Sequence, residues 1–531
     1  MTQGRVLVIA GSDSSGGAGL EADQKVIAAH GCYAMTATTA LTAQNTQGVK
    51  AIHVIPAEFV AQQIEACVED VGVDVIKTGM LAAAETIEMV EKIVVKHNIP
   101  SLVVDPVMVS TSGATLLPNE AVQHLCKHLL PHTTVLTPNI PEAFLILSQN
   151  GQSAPEVRNV DDLEAVARSI QTLGPKWVLV KGGHVPMKED LTVATTEEER
   201  KFVVDVLVGG DNEVVRVQSP YQASTSTHGT GCSLASAIAS NLAKGLDAPK
   251  AVRSACRYIE AAIRTAPGLG KGHGPLNHFH STYTLPFAPG YFIEWLLERP
   301  DVRDVWREFV YHPFVMALGD GTLPLESFKG YIVQDYLYLK LFKIHFSRAN
   351  ALAAYKVQNV DDISRVSSLP NYDPSFQLTR FSLQATEIVQ HIMHELKLHT
   401  TYCESFGISV AEIQATEEKQ ACTAYTRYVL DIGQNGDWLG LQVALAPCLL
   451  GYGAVARMLR DHKDTVQENN TYWAWIKNYN EDDYTQAVRL GSELLEKHLQ
   501  LQSPSRIEEL VQIFIKGLKL EIGFWDMYPS K

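Results

Sequence analysis

The sequence predicts an α/β domain with a mostly parallel sheet and flanking helices, followed by an all-α domain. Of the seven tryptophans, only Trp177 precedes residue 290, whereas 24 of the 36 glycines lie in the first 290 residues. In this first part, short β-branched runs alternate with helix-like segments, as in layered α/β folds. After Tyr291, long runs with helical periodicity replace them. Two different domains are therefore expected.

The boundary between them has the composition of a linker. The segment STYTLPFAPG (281–290) contains two prolines and a glycine, which punctuate regular structure. We therefore predict a first domain over residues 1–282, a linker over 283–290 and a second domain over 291–531.

The individual elements follow from the same patterns. Strands are predicted at Arg5–Ala10, Val73–Lys77, Ser101–Val104, Thr134–Thr137 and Trp177–Lys181, and helices at Leu20–His30, Leu234–Ala243, Leu325–Arg348, Leu383–Cys403, Ala421–Leu430 and Ile507–Met527. The charged stretch 186–212 is predicted to be a surface insertion. The uncharged run Trp438–Ala456 has the length of a membrane span, but it contains Gln442, Pro447 and three glycines, which favour a buried helix.

Composition excludes several classes of protein. A hydrophobic share of 46% is enough for full cores, so global disorder is excluded. The net charge of −15 gives the whole chain no attraction for nucleic acid or anionic lipid, and we expect neither nucleic-acid nor membrane partners. The eight cysteines form no CxxC pair, which is typical of reduced thiols and predicts a cytoplasmic protein.

A first glycine loop follows the first predicted strand. It runs from Gly11 to Gly19 and leads into a helix, but it lacks the Lys-Ser/Thr pair of a P-loop. Although Gly17–Ala22 matches GxGxxA, no acidic residue lies between Asp23 and Glu58 to hold a ribose, which excludes the usual dinucleotide site. The loop therefore predicts close backbone approach by another flat or polar ligand.

A second glycine loop, STHGTGCS (226–233), also precedes a predicted helix. Amides at a helix N-terminus, together with the helix dipole, can hold a transferring phosphoryl group. Cys232 lies at this positive end, which is expected to lower its thiol pKa. The alternative is an ordinary helix cap with a buried cysteine.

Three segments of the second half combine aromatic and reactive residues. Helical spacing places Tyr331, Asp335 and Tyr338 on one face. Cys448 and Tyr452 lie one turn apart, and an otherwise apolar terminal helix carries Glu521. Each pattern alone is also compatible with an ordinary core, although a buried glutamate is normally paired or raised in pKa.

The motifs of the first half resemble the hydroxymethylpyrimidine and hydroxymethylpyrimidine-phosphate kinases of thiamine biosynthesis, which have the ribokinase-like fold. They occur in family order across residues 4–282: GSDSSGGAGLEADQK, LTAQNTQGV, IKTGML, VVDPVM, TPNIPEA, VKGGH, HGTGC and KGHGPLNHFH. The resemblance implies pyrimidine contacts from Gly11, Asp23, Gln44, Met80 and Val107, and ATP contacts from Asn139, Glu142, Lys181, Gly229, Thr230 and Gly231. It further implies that Cys232 acts near the substrate hydroxyl. Mg²⁺ would be organised by Asn139 and Glu142 through water, with no direct protein ligand.

The motifs of the second half resemble the thiaminase II (TenA-type) family, an all-α fold shared with haem oxygenases. They are YHPFVMALGDGTLPLESFKGYIVQDYLYL, APCLLGY, WIKNY and LEIGFW, spread over residues 295–531. The implied catalytic residues are Cys448, as nucleophile, and Glu521, as proton donor. The implied substrate-binding residues are Asp335, Tyr338, Tyr425, Tyr452 and Tyr479.

The two resemblances imply one bifunctional enzyme. Hydroxymethylpyrimidine, the product of the hydrolase, is the substrate of the kinase, and such fusions resemble the fungal thiamine-salvage proteins. ATP and Mg²⁺ are the implied cofactors, thiamine and small pyrimidines the implied ligands, and a homo-oligomer the implied assembly. Two alternatives stay open: a pyridoxal-kinase specificity in the first domain, and a catalytically silent pyrimidine-binding second domain.

Overall fold

The computed structural model describes residues 4–108, 117–210, 213–356, 397 and 399–530, without the side chains of residues 119 and 341–356. The chain divides into two compact units, Met1–Thr282 and Tyr283–Lys531. The predicted helix Leu383–Cys403 lies mostly outside the described residues; residues 399–405 are helical.

The first unit is built on an eight-stranded sheet. The described residues of this unit form ten strands: β1 Arg5–Ala10, β2 Tyr33–Thr38, β3 Ala40–Asn45, β4 Gly48–Val54, β5 Val75–Thr78, β6 Leu102–Val104, β7 Val135–Leu136, β8 Trp177–Val180, β9 Phe202–Val208 and β10 Val214–Pro220. The sheet order is β10-β9-β8-β7-β6-β5-β1-β2, and β3 and β4 form a separate antiparallel pair. Along the eight-stranded sheet, every pairing in the order β2-β1-β5-β6-β7-β8 is parallel, which confirms the predicted mostly parallel sheet.

One sequence prediction for this sheet is wrong. The stretch 186–212, expected as a surface insertion, contains β9, which pairs antiparallel with both β8 and β10 inside the sheet. Val204, Val206 and Val208 are buried on one side of it. The charged residues that suggested an insertion precede β9 in the sequence. Taken by itself, the short, mostly apolar run of β9 predicts a buried strand.

Helices cover both faces of the sheet. They are Gly19–Ala29, Ala57–Asp70, Ala84–Lys96, Asn119–His124, Ile140–Gln149, Val160–Gln171, Thr230–Ala243 and Ala248–Arg264. Strand β1 is apolar on both sides because one face packs on each of two hydrophobic cores. This layering puts the loops that follow β1, β5, β6 and β8 at one edge, where ligands of open α/β sheets bind.

The second unit is helical wherever its regular structure is described. Its helices are Phe292–Glu298, Pro300–Val310, Pro313–Asp320, Leu325–Lys356, Val410–Ala415, Gln420–Asn435, Trp438–Asp461, Trp473–Asn478, Asp482–Leu499 and Pro504–Trp525. They share one hydrophobic core, which confirms the predicted all-α class. Phe287, from the predicted linker, is buried in this core with its ring centroid 5.1 Å from that of Phe292.

The long apolar helix Trp438–Asp461 lies in that core. In the described part of the chain it alone has the length and hydropathy of a membrane span, but 78% of its most apolar window is buried inside the protein. Gly517 of the last helix makes close approach possible, since a Cβ there would lie 2.8 Å from Cγ of Pro447. The predicted buried helix is confirmed.

Candidate active sites

A cavity of about 690 Å³ opens at the carboxyl edge of the sheet in the first unit. The predicted kinase residues that line it are Gly11, Gln44, Met80, Val107, Asn139, Glu142, Lys181, Gly229, Thr230, Gly231 and Cys232. Gly11 follows β1 and Met80 follows β5, so the parallel strands deliver these positions to one edge. Of the predicted kinase residues, Asp23 is missing from the lining.

The two glycine loops meet beside this cavity. Gly229 precedes helix Thr230–Ala243 with φ +80°, and a Cβ at this position would overlap the carbonyl oxygen of Gly17. Only glycine combines this left-handed backbone with so close an approach. The first-turn amides of the helix therefore face the cavity edge, as an anion site requires.

A buried histidine links the loops, and sequence reasoning did not single it out. The ring Nε2 of His228 lies 2.8 Å from Oδ2 of Asp13 and 3.4 Å from Nε2 of Gln44. Asp13 also accepts hydrogen bonds from Ser15 and from the amides of Gly17 and Ala18. Although burial alone would raise it, these bonds from His228 and Ser15 lower the pKa of Asp13 to about 2. The Asp13 carboxylate therefore binds the first glycine loop through its amides and the second through His228, the residue next to Gln44 in the cavity.

Asp23 has a different place from the one predicted. Its side chain is fully buried and accepts hydrogen bonds from Lys77 Nζ at 2.9 and 3.0 Å and from Ser236 Oγ at 2.7 Å. Both carboxylate oxygens are thus engaged inside the protein, and Asp23 does not reach the cavity as a substrate ligand. Although burial disfavours the ammonium, the charge of Asp23 raises the pKa of Lys77. The pair was not predicted from the sequence, because Lys77 lies far from Asp23 along the chain and no motif connects them.

The expected lowering of the Cys232 pKa is also wrong. Burial raises the pKa of this thiol to about 12, and the neighbouring Lys77 offsets only part of that effect. The helix N-terminus was visible in the sequence, but the degree of burial was not. At neutral pH Cys232 is therefore a thiol beside the anion site.

Two carboxylates and one lysine line the cavity next to Gly231. Lys181 Nζ lies 3.0 Å from Oδ1 of Asp105 and 3.9 Å from Oε2 of Glu142. Asn139 and Glu142 form a capping box on helix Ile140–Gln149, which explains their NxxE spacing locally. Burial raises the pKa of Glu142 to about 7. The charge of Lys181 opposes this rise, and the charge of Asp105 adds to it. This cluster of hard oxygen donors with excess negative charge fits a hydrated Mg²⁺.

In the second unit, a buried polar cluster begins at Asp335. Its Oδ2 accepts a hydrogen bond from Tyr331 Oη at 3.2 Å and lies 2.7 Å from Nε2 of His399. Tyr331 Oη is also 3.3 Å from Tyr452 Oη. All four side chains are almost completely buried. Helical spacing predicted that Tyr331 and Asp335 share a face, whereas His399, distant in sequence and without a motif, was missed.

The remaining predicted residues surround this cluster. The rings of Tyr338 and Tyr425 stack at 4.9 Å, and Tyr479 lies 5.3 Å from Tyr452, centroid to centroid. Cys448 lies close enough to influence the pKa of Tyr338, Tyr425 and Tyr452. The structure therefore brings together all seven predicted positions of this half.

Glu521 is the distinctive acid of the cluster. It is 2% exposed, and its Oε1 has no hydrogen-bond partner among the described residues. Burial raises the pKa of Glu521 to about 8; Tyr425 opposes the rise and Asp335 adds to it. A carboxyl group that is largely neutral at pH 7 can donate a proton where an ordinary glutamate cannot.

Comparison with known proteins gives the same division. Residues 13–277 match the phosphomethylpyrimidine kinase family, and residues 299–369 and 376–530 match the TENA/THI-4/PQQC family. Solved structures similar to the first unit include the pyridoxal kinase from Staphylococcus aureus in complex with pyridoxal (28% identity, TM-score 0.46, covering 52% of this chain and 94% of that chain). Another is the phosphomethylpyrimidine kinase from Clostridium difficile 630 (39% identity, TM-score 0.39, covering 48% of this chain and 98% of that chain).

Curated relatives extend over both units. A Schizosaccharomyces pombe protein named putative hydroxymethylpyrimidine/phosphomethylpyrimidine kinase 2 is 40% identical, covering 98% of this chain and 90% of that protein. The hydroxymethylpyrimidine/phosphomethylpyrimidine kinase THI20 of Saccharomyces cerevisiae is 34% identical, covering 98% of this chain and 94% of that protein. The chain therefore belongs to the family of thiamine-biosynthesis hydroxymethylpyrimidine/phosphomethylpyrimidine kinases that are fused to a TenA-type domain.

Proposed function

We propose that the first unit phosphorylates 4-amino-5-hydroxymethyl-2-methylpyrimidine and its monophosphate with Mg·ATP, and that the second unit releases this pyrimidine from thiamine or degraded thiamine. One observation carries the proposal: each unit holds a cysteine beside buried carboxyl groups, and in each the electrostatic surroundings suit the reaction assigned to it. The product of the second reaction is the substrate of the first, which gives the fusion a chemical purpose.

In the first unit, the cavity suits a small aminopyrimidine. The side-chain amide of Gln44 both donates and accepts hydrogen bonds, as ring nitrogens and an exocyclic amine require. Met80 and Val107 offer apolar walls, and Gly11 allows the backbone to approach the ring. His228 lines the cavity 3.4 Å from Gln44 and is fixed by its hydrogen bond to Asp13, so we assign Asp13 and His228 a positioning role.

Phosphoryl transfer in this site rests on positioning and charge. The amides at Gly229–Gly231 would hold the transferring phosphoryl group, and Lys181 would offset its charge once it shifts from Asp105. Asn139, Glu142 and Asp105 would organise the hydrated cation, which supplies charge neutralisation when bound. Because Cys232 is a neutral thiol, we assign it contact with the substrate hydroxyl and not the role of a resting base.

In the second unit, we propose covalent catalysis. The Cys448 thiolate adds to the pyrimidine ring carbon next to the methylene bridge while neutral Glu521 protonates a ring nitrogen, which lets the ring take up the electron pair. The thiazole then leaves with the electrons of its bond to the bridge carbon, and water adds its hydroxyl to that carbon and releases a proton to solvent. The Cys448 thiolate is expelled as Glu521 recovers its proton from the ring nitrogen. Asp335, fixed by Tyr331 and His399, would hold the amino group.

We also propose that the protein acts in the cytoplasm as a homo-oligomer, without a nucleic-acid or membrane partner. None of the eight cysteines, all of which lie in the described residues, forms a disulfide, as expected in a reducing compartment. The net charge of −15 supports the absence of nucleic-acid binding. Fractionation of the native source and analytical ultracentrifugation of the purified chain test the two statements.

The decisive experiment incubates the full chain with thiamine or an aminopyrimidine derivative of degraded thiamine, with and without Mg·ATP, and follows the products by mass. We expect free hydroxymethylpyrimidine without ATP, and its mono- and diphosphate with ATP. Competition between pyridoxal and hydroxymethylpyrimidine for phosphorylation tests specificity. Preference for pyridoxal would overturn the kinase assignment, and failure to release pyrimidine from any of these substrates would overturn the hydrolase assignment.

A further inference from the structure

A histidine and glutamate cluster lies between two helices of the first unit, outside the cavity. Glu88 and Glu91 belong to helix Ala84–Lys96, and His124 ends helix Asn119–His124. His128 follows within a π-helical turn, Leu125–Leu129. None of these four side chains lines the kinase cavity, and the proposed reaction gives them no task.

Three ligand atoms converge in this cluster. Oε1 of Glu88 lies 2.9 Å from Nδ1 of His124 and 3.9 Å from a ring nitrogen of His128, Nε2. All three atoms lie within 4.8 Å of one another. Bonds of about 2.0–2.2 Å in a tetrahedral site separate neighbouring ligand atoms by roughly 3.5 Å. The observed spacings bracket that value, so small side-chain rotations would place all three atoms around one ion.

The other nitrogen of His128 is already oriented for such a site. Nδ1 of His128 lies 2.6 Å from Oε2 of Glu91, so this carboxylate holds the Nδ1 proton and leaves the Nε2 lone pair facing Glu88 and His124. A carboxylate behind a ligating imidazole is the usual outer support of protein zinc sites. Two independent features therefore coincide: three converging donors, and a partner that sets the required tautomer.

The local backbone is also unusual. His124 directly precedes the π-helical turn and His128 lies within it. Their rings stack with centroids 5.7 Å apart and an interplanar angle of 19°. Single π-helical turns are uncommon and occur frequently at functional sites. The cluster is partly open to solvent, with 18–38% of each ligand side chain exposed, so an ion can enter and a water can complete its coordination.

We propose that Glu88, His124 and His128 bind one zinc-class divalent transition-metal ion, with water as the fourth ligand and Glu91 as outer support. Two imidazoles and one carboxylate are donors that suit Zn²⁺ better than Mg²⁺ or Ca²⁺. The ion joins the helix Ala84–Lys96 to the helix Asn119–His124. Its role is to tie these two helices together, and it takes no part in phosphoryl transfer.

The test uses the full chain, stripped with a chelator and then titrated with ZnCl₂ without nucleotide. We expect the wild type to retain one more equivalent of zinc than His128→Ala and, at saturating zinc, to unfold roughly 5 °C higher. Glu91→Gln, which keeps the side-chain size, is expected to bind about 10–100-fold more weakly. This variant tests the site even if His128→Ala does not fold.

His97→Ala is the matched control, because His97 lies 2.7 Å from Glu65 but belongs to no three-ligand cluster in the described chain. It should retain the full zinc content. Cysteines are unchanged in every variant, so zinc bound by thiols cancels in the comparison. Equal zinc content and affinity in the wild type, His128→Ala and Glu91→Gln would overturn the proposal and leave the cluster as hydrogen-bonded pairs only.

Discussion

Buried carboxylates lie against lysines in the first unit, whereas in the second they lie against tyrosines and a histidine. Asp23 is paired with Lys77 and Asp105 with Lys181, and of the two lysines Lys181 lines the cavity where a phosphoryl group would be transferred. In the second unit, Glu521 keeps a proton to about pH 8 because burial disfavours its anion. Buried carboxyl groups are therefore paired with ammonium groups in one unit, whereas in the other a buried carboxyl group keeps its proton.

The two cysteines sharpen this contrast. Cys232 lies at a helix N-terminus beside glycines, and burial raises its pKa to about 12. Cys448 lies in the middle of helix Trp438–Asp461, among stacked tyrosines. Only the second is assigned a bond to the substrate, and separable defects in the two units test that difference.

The largest effect is expected from Cys448→Ala. Removal of the nucleophile should lower pyrimidine release by more than about 1,000-fold, because alanine cannot form the covalent bond to the ring. Phosphorylation of added hydroxymethylpyrimidine should be unchanged. Mass measurement of both products checks this, with Cys232→Ala as the thiol control in the other unit. Loss of both activities in folded Cys448→Ala would contradict independent sites.

The next largest effect is expected from Asp23→Asn, which should lower the free energy of unfolding and not the activity. Breaking a fully buried pair leaves the Lys77 ammonium without its counter-charge, which costs about 3–5 kcal/mol. Urea unfolding should show the loss, whereas the KM for the pyrimidine in the remaining folded enzyme should stay within about twofold. A raised KM with unchanged stability would instead restore Asp23 as a substrate ligand.

Glu521→Gln should lower pyrimidine release by about 100-fold, as expected for loss of a general acid. The pKa of Glu521 is raised, so its proton-donating form is present below about pH 8 and is lost as the pH rises through that value. Release by the wild type should therefore fall on the alkaline side, and the variant should lack this limb. A pH profile of pyrimidine release checks the assignment; an unchanged alkaline limb in the variant would contradict it.

The smallest effect is expected from His228→Asn. Loss of the hydrogen bond between His228 and ionised Asp13 should loosen Gln44 and raise the KM for the pyrimidine by about 10-fold, with kcat nearly unchanged. Steady-state kinetics with each phosphate acceptor would show this split. A fall in kcat alone would place His228 in the phosphoryl-transfer step and not behind the substrate.

The sequence predicted the parts of this molecule that are local. The glycine loops, the five predicted strands and the one-turn spacing of Cys448 and Tyr452 depend on neighbouring residues, and they were found where expected. Lys77, Asp105 and His399 act through partners far away in the chain, so no spacing revealed their roles. The Cys232 pKa was predicted in the wrong direction because the helix N-terminus is local, whereas burial depends on the whole fold.

The packing of helix Pro504–Trp525 on helix Trp438–Asp461 has a consequence for biosynthesis. The helix Pro504–Trp525 carries Glu521 and approaches Pro447 closely at Gly517, so it completes both the buried polar cluster and the cover over the apolar helix. At about 5–20 residues per second, a ribosome makes it several seconds later. During that interval the apolar helix lacks the cover that the helix carrying Glu521 provides, so this part of the nascent chain is exposed to aggregation until that helix is made.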